Sequence, residues 1–345
     1  MMKNILLAVL ATALVAAPMA LAEPALAPAT KPVEVAQRAV LLVDEVRAIR
    51  NFPVLVAESL GYLRDGPLAV TVVNTRNEVW HGDQLRDGRI DAVLAYYHHN
   101  IANQAQGFAT QAVVTLGVTP GMQVLMSEQA RARLHTVADL KGARIIAGGD
   151  GSSKTSVANS LVAAGGLQLS DYVRLGTAGK EKNAALLAAG DADLIVAPVP
   201  DGDYYVQHGV ASMFADLSTV QGTRAALGTV FPTSTVYMSK ERIQAHPEIA
   251  RLLARAFVRT LAYINSHTPE QIATLIPADV RGKDEAAYLR MLRLQIGMFA
   301  TDGRMPADAA RHEWSVLAAF VPAYRKVEVT DTYTNRFVDE AAAQR

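Results

Sequence analysis

Short apolar runs of strand length alternate along this chain with segments punctuated like helices. Runs at residues 68–73, 90–96, 144–147, 172–175 and 193–197 read as strands, and segments 78–86, 155–164 and 180–189 between them read as helices. That alternation is the signature of βαβ units and an α/β sheet. A first strand falls somewhere within residues 33–49. Asn51-Phe52-Pro53 then reads as a helix start, with Asn51 as cap and Pro53 in the first turn, and Gly61 ends that helix after Leu60. Gly165-Gly166 and Gly190 stop two later helices. From Ser239 onward the pattern turns strongly helical: residues 248–266 carry apolar positions at helical spacing, His267-Thr268-Pro269 breaks the run, and a new helix begins near Glu270. The Met, Leu and Phe residues at 291–299 read as core.

One stretch occurs twice. Residues 85–95 (LRDGRIDAVLA) and 187–197 (LAAGDADLIVA) share a helix end, a G-x-x-D turn and an apolar strand. The glycine supplies a left-handed helix stop, and the aspartate (Asp91, Asp193) can bond backbone amides where the strand begins. Both duties are structural, so the repeat marks architecture and predicts two similar lobes.

At the N-terminus, Lys3 precedes an apolar run at 5–17, then Pro18 and the small-residue triplet Ala20-Leu21-Ala22. Residues 1–22 therefore read as a secretory signal peptide cleaved before Glu23, and a second triplet, Ala25-Leu26-Ala27, leaves the site open by a few residues. The run is shorter than the ~20 residues of a bilayer-spanning helix. Residues 23–35, rich in Pro and Ala, read as a flexible lead-in. The chain contains no cysteine, so an exported form gains no disulfide, carries no lipidated thiol and must be stabilised by burial. A periplasmic location follows, with full secretion as the alternative. Loss of Lys3 leaves 32 basic residues of the original 33 against 33 acidic ones, a balance that argues against nucleic acid or an anionic membrane surface as partner. The length of 345 residues is about twice a common domain.

The order of motifs resembles the substrate-binding proteins of ABC importers in the NMT1/THI5-like group, which includes nitrate, alkanesulfonate, taurine and thiamine-precursor binders. The likeness is carried by Phe52-Pro53 followed by AESLGY at 57–62, by Gly88 and Asp91, by DLKGARI at 139–145, by Gly151-Ser152-Ser153, by the 187–196 turn, and by HPEIA at 246–250 leading to Ala256-Phe257 and Tyr263-Ile264. The resemblance implies a periplasmic binding protein-like type II fold, in which two α/β lobes are joined by two crossing segments, with the solute between them. Residues 113–126 resemble the outward crossing and 230–238 the return. Lobe 1 is then discontinuous, 36–115 and 232–340, and lobe 2 is 116–231. The implied partners are a small solute and an ABC permease in the inner membrane; a monomer without metal or other cofactor is expected. Sensing for a membrane receptor kinase is an alternative use of the same fold, and a periplasmic enzyme a third.

Candidate contacts follow, each with a structural alternative. Residues 148–155 (GGDGSSKT) form a strand-to-helix loop in which Ser152, Ser153, Lys154 and Thr155 can converge on an anion at a helix N-terminus, or simply cap it. The stretch nearly spells a P-loop, but Ser153 stands where the second glycine is required. Tyr96, Tyr97, His98, His99 and Asn100 close a strand where α/β crevices open, and can stack on or orient a solute, or pack. The adjacent histidines make a poor metal pair, since neighbouring strand residues point to opposite faces. By family likeness Asn51 and Phe52 face the cleft as well. Asp201 and Tyr204, after the second lobe's strand, mirror residues 96–100 or only form a turn; Thr233, on the return crossing, donates to solute or only forms a hinge. No G-x-S-x-G elbow or H-E-x-x-H helix occurs, and the cysteine-rich segment of thiamine-pyrimidine synthases among the relatives is missing, so catalysis is not expected.

Overall fold

Nearly every residue of the predicted strands at 90–96 and 193–197 is buried, as expected of strands covered on both faces. The computed structural model describes residues 37–65, 68–75, 81–149 and 152–344. The expected signal peptide and lead-in, the start of the helix expected from residue 78, and Asp150-Gly151 of the glycine loop lie outside the described residues.

Ten strands are present among these residues: β1 (Gln37–Asp44), β2 (Leu68–Thr75), β3 (Ala92–Tyr96), β4 (Thr110–Thr115), β5 (Met122–Ser127), β6 (Arg144–Ile146), β7 (Val173–Leu175), β8 (Leu194–Pro198), β9 (Ala211–Leu217) and β10 (Ser234–Ser239). They form two sheets of order β2-β1-β3-β10-β4 and β7-β6-β8-β5-β9. In the first, β1 is parallel to β2 and β3 while β10 runs antiparallel to β3 and β4; in the second, β6 is parallel to β7 and β8 while β5 runs antiparallel to β8 and β9. The second sheet thus repeats the first position by position. In each, the antiparallel member is the strand that arrives from the other lobe. The fold is that of a periplasmic binding protein, as the motif order implies.

Helices α1 (Phe52–Ser59), α2 (His81–Arg86), α3 (His98–Ala105), α4 (Ser153–Ala164), α5 (Lys180–Ala189), α6 (Asp201–Gln207), α7 (Val220–Leu227), α8 (Lys240–Ala245) and α9 (Pro247–Ser266) flank the sheets. A C-terminal group follows: α10 (Pro269–Ala273), α11 (Ala278–Arg281), α12 (Glu285–Gln295), α13 (Ala307–Phe320) and α14 (Arg336–Ala342). Two expectations are corrected here. Residues 96–100 do not all close the strand, since β3 ends at Tyr96 and α3 starts at His98, and Asp201 and Tyr204 do more than form a turn, since α6 starts at Asp201.

Side chains alternate across each sheet with the two-residue period of a strand. Leu41 and Leu94 enter one core with Phe52, Val236 and Phe257, while their neighbours Leu42 and Val93 enter another with Tyr97, Ile101 and Tyr237. In the second sheet Val124, Ile145 and Leu194 face one way, and Leu125, Ile146 and Ile195 the other. Each such aliphatic side chain contributes roughly 1.5–3 kcal/mol on burial, which is how a chain without disulfides is held together. Of the 291–299 residues expected as core, Leu292, Met298 and Phe299 are buried and Met291 is half-buried, whereas Leu294 is exposed.

The repeated aspartates do bond backbone, but to the neighbouring strand. Asp91 N–H donates to the Val40 carbonyl (3.0 Å) while Asp91 Oδ2 accepts the Val40 N–H (2.7 Å). Asp193 makes the same reciprocal pair with Arg144, at 2.8 and 2.7 Å. Each carboxylate is also held by arginine: Asp91 by Arg242 (2.7 Å from Nε), and Asp193 by Arg144 (2.8 Å) and Arg133 (2.5 Å). Burial by itself would raise the Asp193 carboxyl, but the hydrogen bonds from Arg144 and Arg133 outweigh it and hold it below the usual range.

Asp193→Ala should cost about 3 kcal/mol in urea unfolding, because it leaves two arginines and an amide without their buried partner. Removing Asp279, whose pair with Arg47 is exposed on both sides, should cost under ~1 kcal/mol. Equal costs would refute the strand-clamp role. Glu313 on α13 is fully buried, and burial pushes its carboxyl from 4.5 up to about 8. A raised folded value means stability is complete below pH 4.5 and is lost as pH rises through about 8. Glu313→Gln should flatten the thermal-melt profile across that window; an unchanged slope would count against it.

Candidate functional site

The carboxyl ends of β1, β3 and β8 and the N-terminus of α4 converge on one cavity of about 150 Å³. Ala48, Ile49, Arg50 and Tyr96 line it from the first lobe, and Met122, Ser153, Pro198 and Val199 from the second. Pro120 and Gly121 of the outward crossing, with Gln295 and Met298 of the C-terminal segment, complete it. Ligand crevices of open α/β sheets occur at this end of the strands, because the loops there are free of the sheet ladder.

Arg50 brings the positive charge. Its guanidinium carbon lies 5.7 Å from the Tyr96 ring centroid, within cation–π range, and Nη2 lies 3.4 Å from Glu45 Oε2. The Ser234 hydroxyl donates to the Arg50 carbonyl at 2.9 Å, fastening this segment to the start of β10. Opposite, Ser153 opens α4, a helix whose N-terminal amides and dipole favour negative charge. Cation and helix terminus thus approach one space from different lobes, between apolar walls of Ile49, Pro120, Met122, Pro198 and Met298. Such a space suits an anionic head on a compact apolar body.

Of the residues singled out by sequence, Tyr96 and Ser153 line the cavity. Ser152 is the α4 cap: its hydroxyl accepts the Thr155 N–H (3.2 Å) and reaches the Ala147 carbonyl (3.1 Å). Thr155 is buried and donates to the Gly149 carbonyl at 2.7 Å, so both hydroxyls serve the loop itself. Lys154, half-buried on the first turn of α4, forms no ion pair among the described residues and is not a lining residue. His98 stands behind Tyr96, with ring centroids 5.6 Å apart, and burial lowers its imidazole to about 4, leaving it neutral.

Tyr97 is a correction. Strand alternation turns it away from Tyr96 into the core, where its hydroxyl meets Thr332 Oγ1 at 2.5 Å. Asn51 and Phe52 are likewise buried behind the wall: Asn51 Nδ2 donates to the Glu45 carbonyl (3.2 Å), and Phe52 stacks on Phe299 at 6.0 Å. Asp201 pairs with Lys180 (2.6 Å), and Tyr204 packs edge-on against Tyr205 and over His208. Thr233 is buried and donates to the Thr119 carbonyl at 3.2 Å, joining the two crossings.

Sequence reasoning missed Arg50 and Gln295. Arg50 directly precedes the Asn51-Phe52 helix start, so its position beside a marked cap was a readable signal. Gln295 carries none, being one polar residue in a segment read as core.

A family model described as NMT1/THI5 like matches residues 49–272. Among curated proteins, none matches this chain. A solved protein from Bordetella bronchiseptica is 26% identical, with TM-score 0.68, covering 89% of this chain and 97% of its own. The periplasmic aliphatic sulphonate binding protein SsuA of Escherichia coli is 17% identical, with TM-score 0.62, covering 88% and 99%. The desulfurization enzyme DSZB is 15% identical, with TM-score 0.58, covering 89% and 99%.

Tyr97→Phe, which deletes only the buried hydroxyl, should lower stability by about 1 kcal/mol in urea unfolding and leave solute affinity unchanged. A loss of affinity at undiminished stability would restore Tyr97 to the site.

Proposed function

Because the chain belongs to the NMT1/THI5-like family, we propose that it is the periplasmic solute-binding component of an ABC importer, capturing a small organic anion between its lobes. One observation carries this reading: Arg50 from the first lobe and the Ser153 helix start from the second line the same cavity. An anion held by both is a link across the cleft, and it favours the closed state by as much as it binds that state better. Hinge closure of this kind presents a permease with a different surface when solute is aboard. The sulphonate named in the Escherichia coli relative's description is an anion of the required kind, and the cavity is roughly benzene-sized, which points to a compact solute. Carboxylates, nitrate and heteroaromatic acids share the charge and belong in the same test.

A relative named as an enzyme favours a second reading, turnover of the bound compound. Recovery of ligand unaltered after incubation would decide against it. For the first reading, calorimetry with short sulfonates, carboxylates, nitrate and pyrimidines should find at least one anionic class that binds. Arg50→Ala should then weaken it by tenfold or more, since a charge-assisted contact is worth roughly 1.5–3 kcal/mol. Binding by neutral compounds only, or an Arg50→Ala protein of full affinity, would overturn the assignment.

A further inference from the structure

The family match ends at residue 272, yet two of the cavity's lining residues, Gln295 and Met298, come from beyond it. Gln295 is the last residue of α12 and is 1% exposed. Its Nε2 donates to the Val199 carbonyl at 2.7 Å, on the second lobe's side of the cavity. That bond orients the amide, because the reverse placement would set two carbonyl oxygens against each other. The other end, Oε1, is buried and has no hydrogen-bond partner in the protein. It looks toward Gly121, also a lining residue: a Cβ built there would come within 3.7 Å of Oε1 and 3.3 Å of Met298 Cε. Gly121 has φ of 63°, a conformation that disfavours side chains, so no side chain of the crossing stands beside Oε1.

A buried carbonyl oxygen without a donor costs free energy comparable to a lost hydrogen bond and is rarely left so in a folded protein. Of the other polar lining groups, the Arg50 guanidinium and the Ser153 helix start address negative charge, whereas Oε1 can only accept. We infer that Gln295 is a specificity-determining residue whose Oε1 accepts a hydrogen bond from a hydroxyl or amino group of the bound anion. The solute class is thereby narrowed to compact anions that carry a donor on the body opposite the charged head. The inference rests on the cleft being the solute site, and it adds the C-terminal segment as the part that reads the solute's identity.

Matched pairs that differ by one donor test it: 2-hydroxyethanesulfonate against ethanesulfonate, and 2-hydroxypropanoate against propanoate, each titrated calorimetrically into the full-length mature protein. The expected result is at least about tenfold tighter binding of the hydroxylated member in one pair, because a site built to bond a hydroxyl rejects the analogue lacking it. In Gln295→Met that ratio should fall to about one; read as a ratio within the variant, it cancels the loss of the Nε2 bond to the Val199 carbonyl, which is common to both members. Equal binding of both members by the wild type, the result a water resident on Oε1 would give, overturns the Gln295 assignment and leaves the cleft reading intact. An unchanged ratio in the variant also overturns it. Failure of every member to bind overturns the cleft reading and the inference together. The wild-type ratio is decisive by itself should Gln295→Met fail to fold.

Discussion

Two stretches of backbone, residues 116–121 and 228–233, pass side by side between the lobes and are hydrogen-bonded to each other. Phe231 N–H donates to the Val118 carbonyl and Thr233 N–H to the Gly117 carbonyl, both at 3.0 Å, and Leu116 N–H to the Ser234 carbonyl at 2.7 Å. Gly117 permits the approach, since a Cβ there would fall 2.1 Å from Thr233 Oγ1. Because the crossings are paired, each sheet receives one strand antiparallel to the rest, β5 in one and β10 in the other. The cavity is lined partly by one of these crossings and partly by the strand ends beside it.

Division of labour at the cavity follows from that geometry. The hydroxyls that make the 148–155 loop conspicuous in sequence bond within the loop, where Ser152 caps α4 and Thr155 ties back to Gly149. They build the helix terminus and do not themselves line the cavity, whereas Ser153 does. Charge enters from the other lobe through Arg50, supported by Tyr96 and by the Ser234 hydroxyl at its carbonyl. An anion placed between them would meet a dipole on one side and a guanidinium on the other, and each lobe alone offers only half of that field.

The lobe repeat was legible because it is local. Gly190 has φ of 73° and Gly88 of 69°, as the left-handed stop demands, and Asp91 and Asp193 close equivalent backbone pairs. Helices at 52–59 and 180–189 and the strands at 68–75 and 92–96 fall within a few residues of where periodicity and punctuation put them. Misreadings cluster where a strand passes directly into a helix, at His98 and Asp201, since polar residues after a strand look alike in a loop and in a first helical turn.

By itself, then, the sequence determined the α/β class, the doubled lobe and the strand ends around which the cavity forms, because these depend on spacing and on backbone conformations that particular residues favour. Only the tertiary structure decided which side chains reach the cavity. Tyr96 and Tyr97 are adjacent and chemically alike, yet one lines the cavity and the other is buried against Thr332, a matter of which sheet face each occupies. Arg50 and Gln295 lie 245 positions apart in sequence and line one space. Their meeting depends on how the C-terminal helices pack, and no local pattern encodes it.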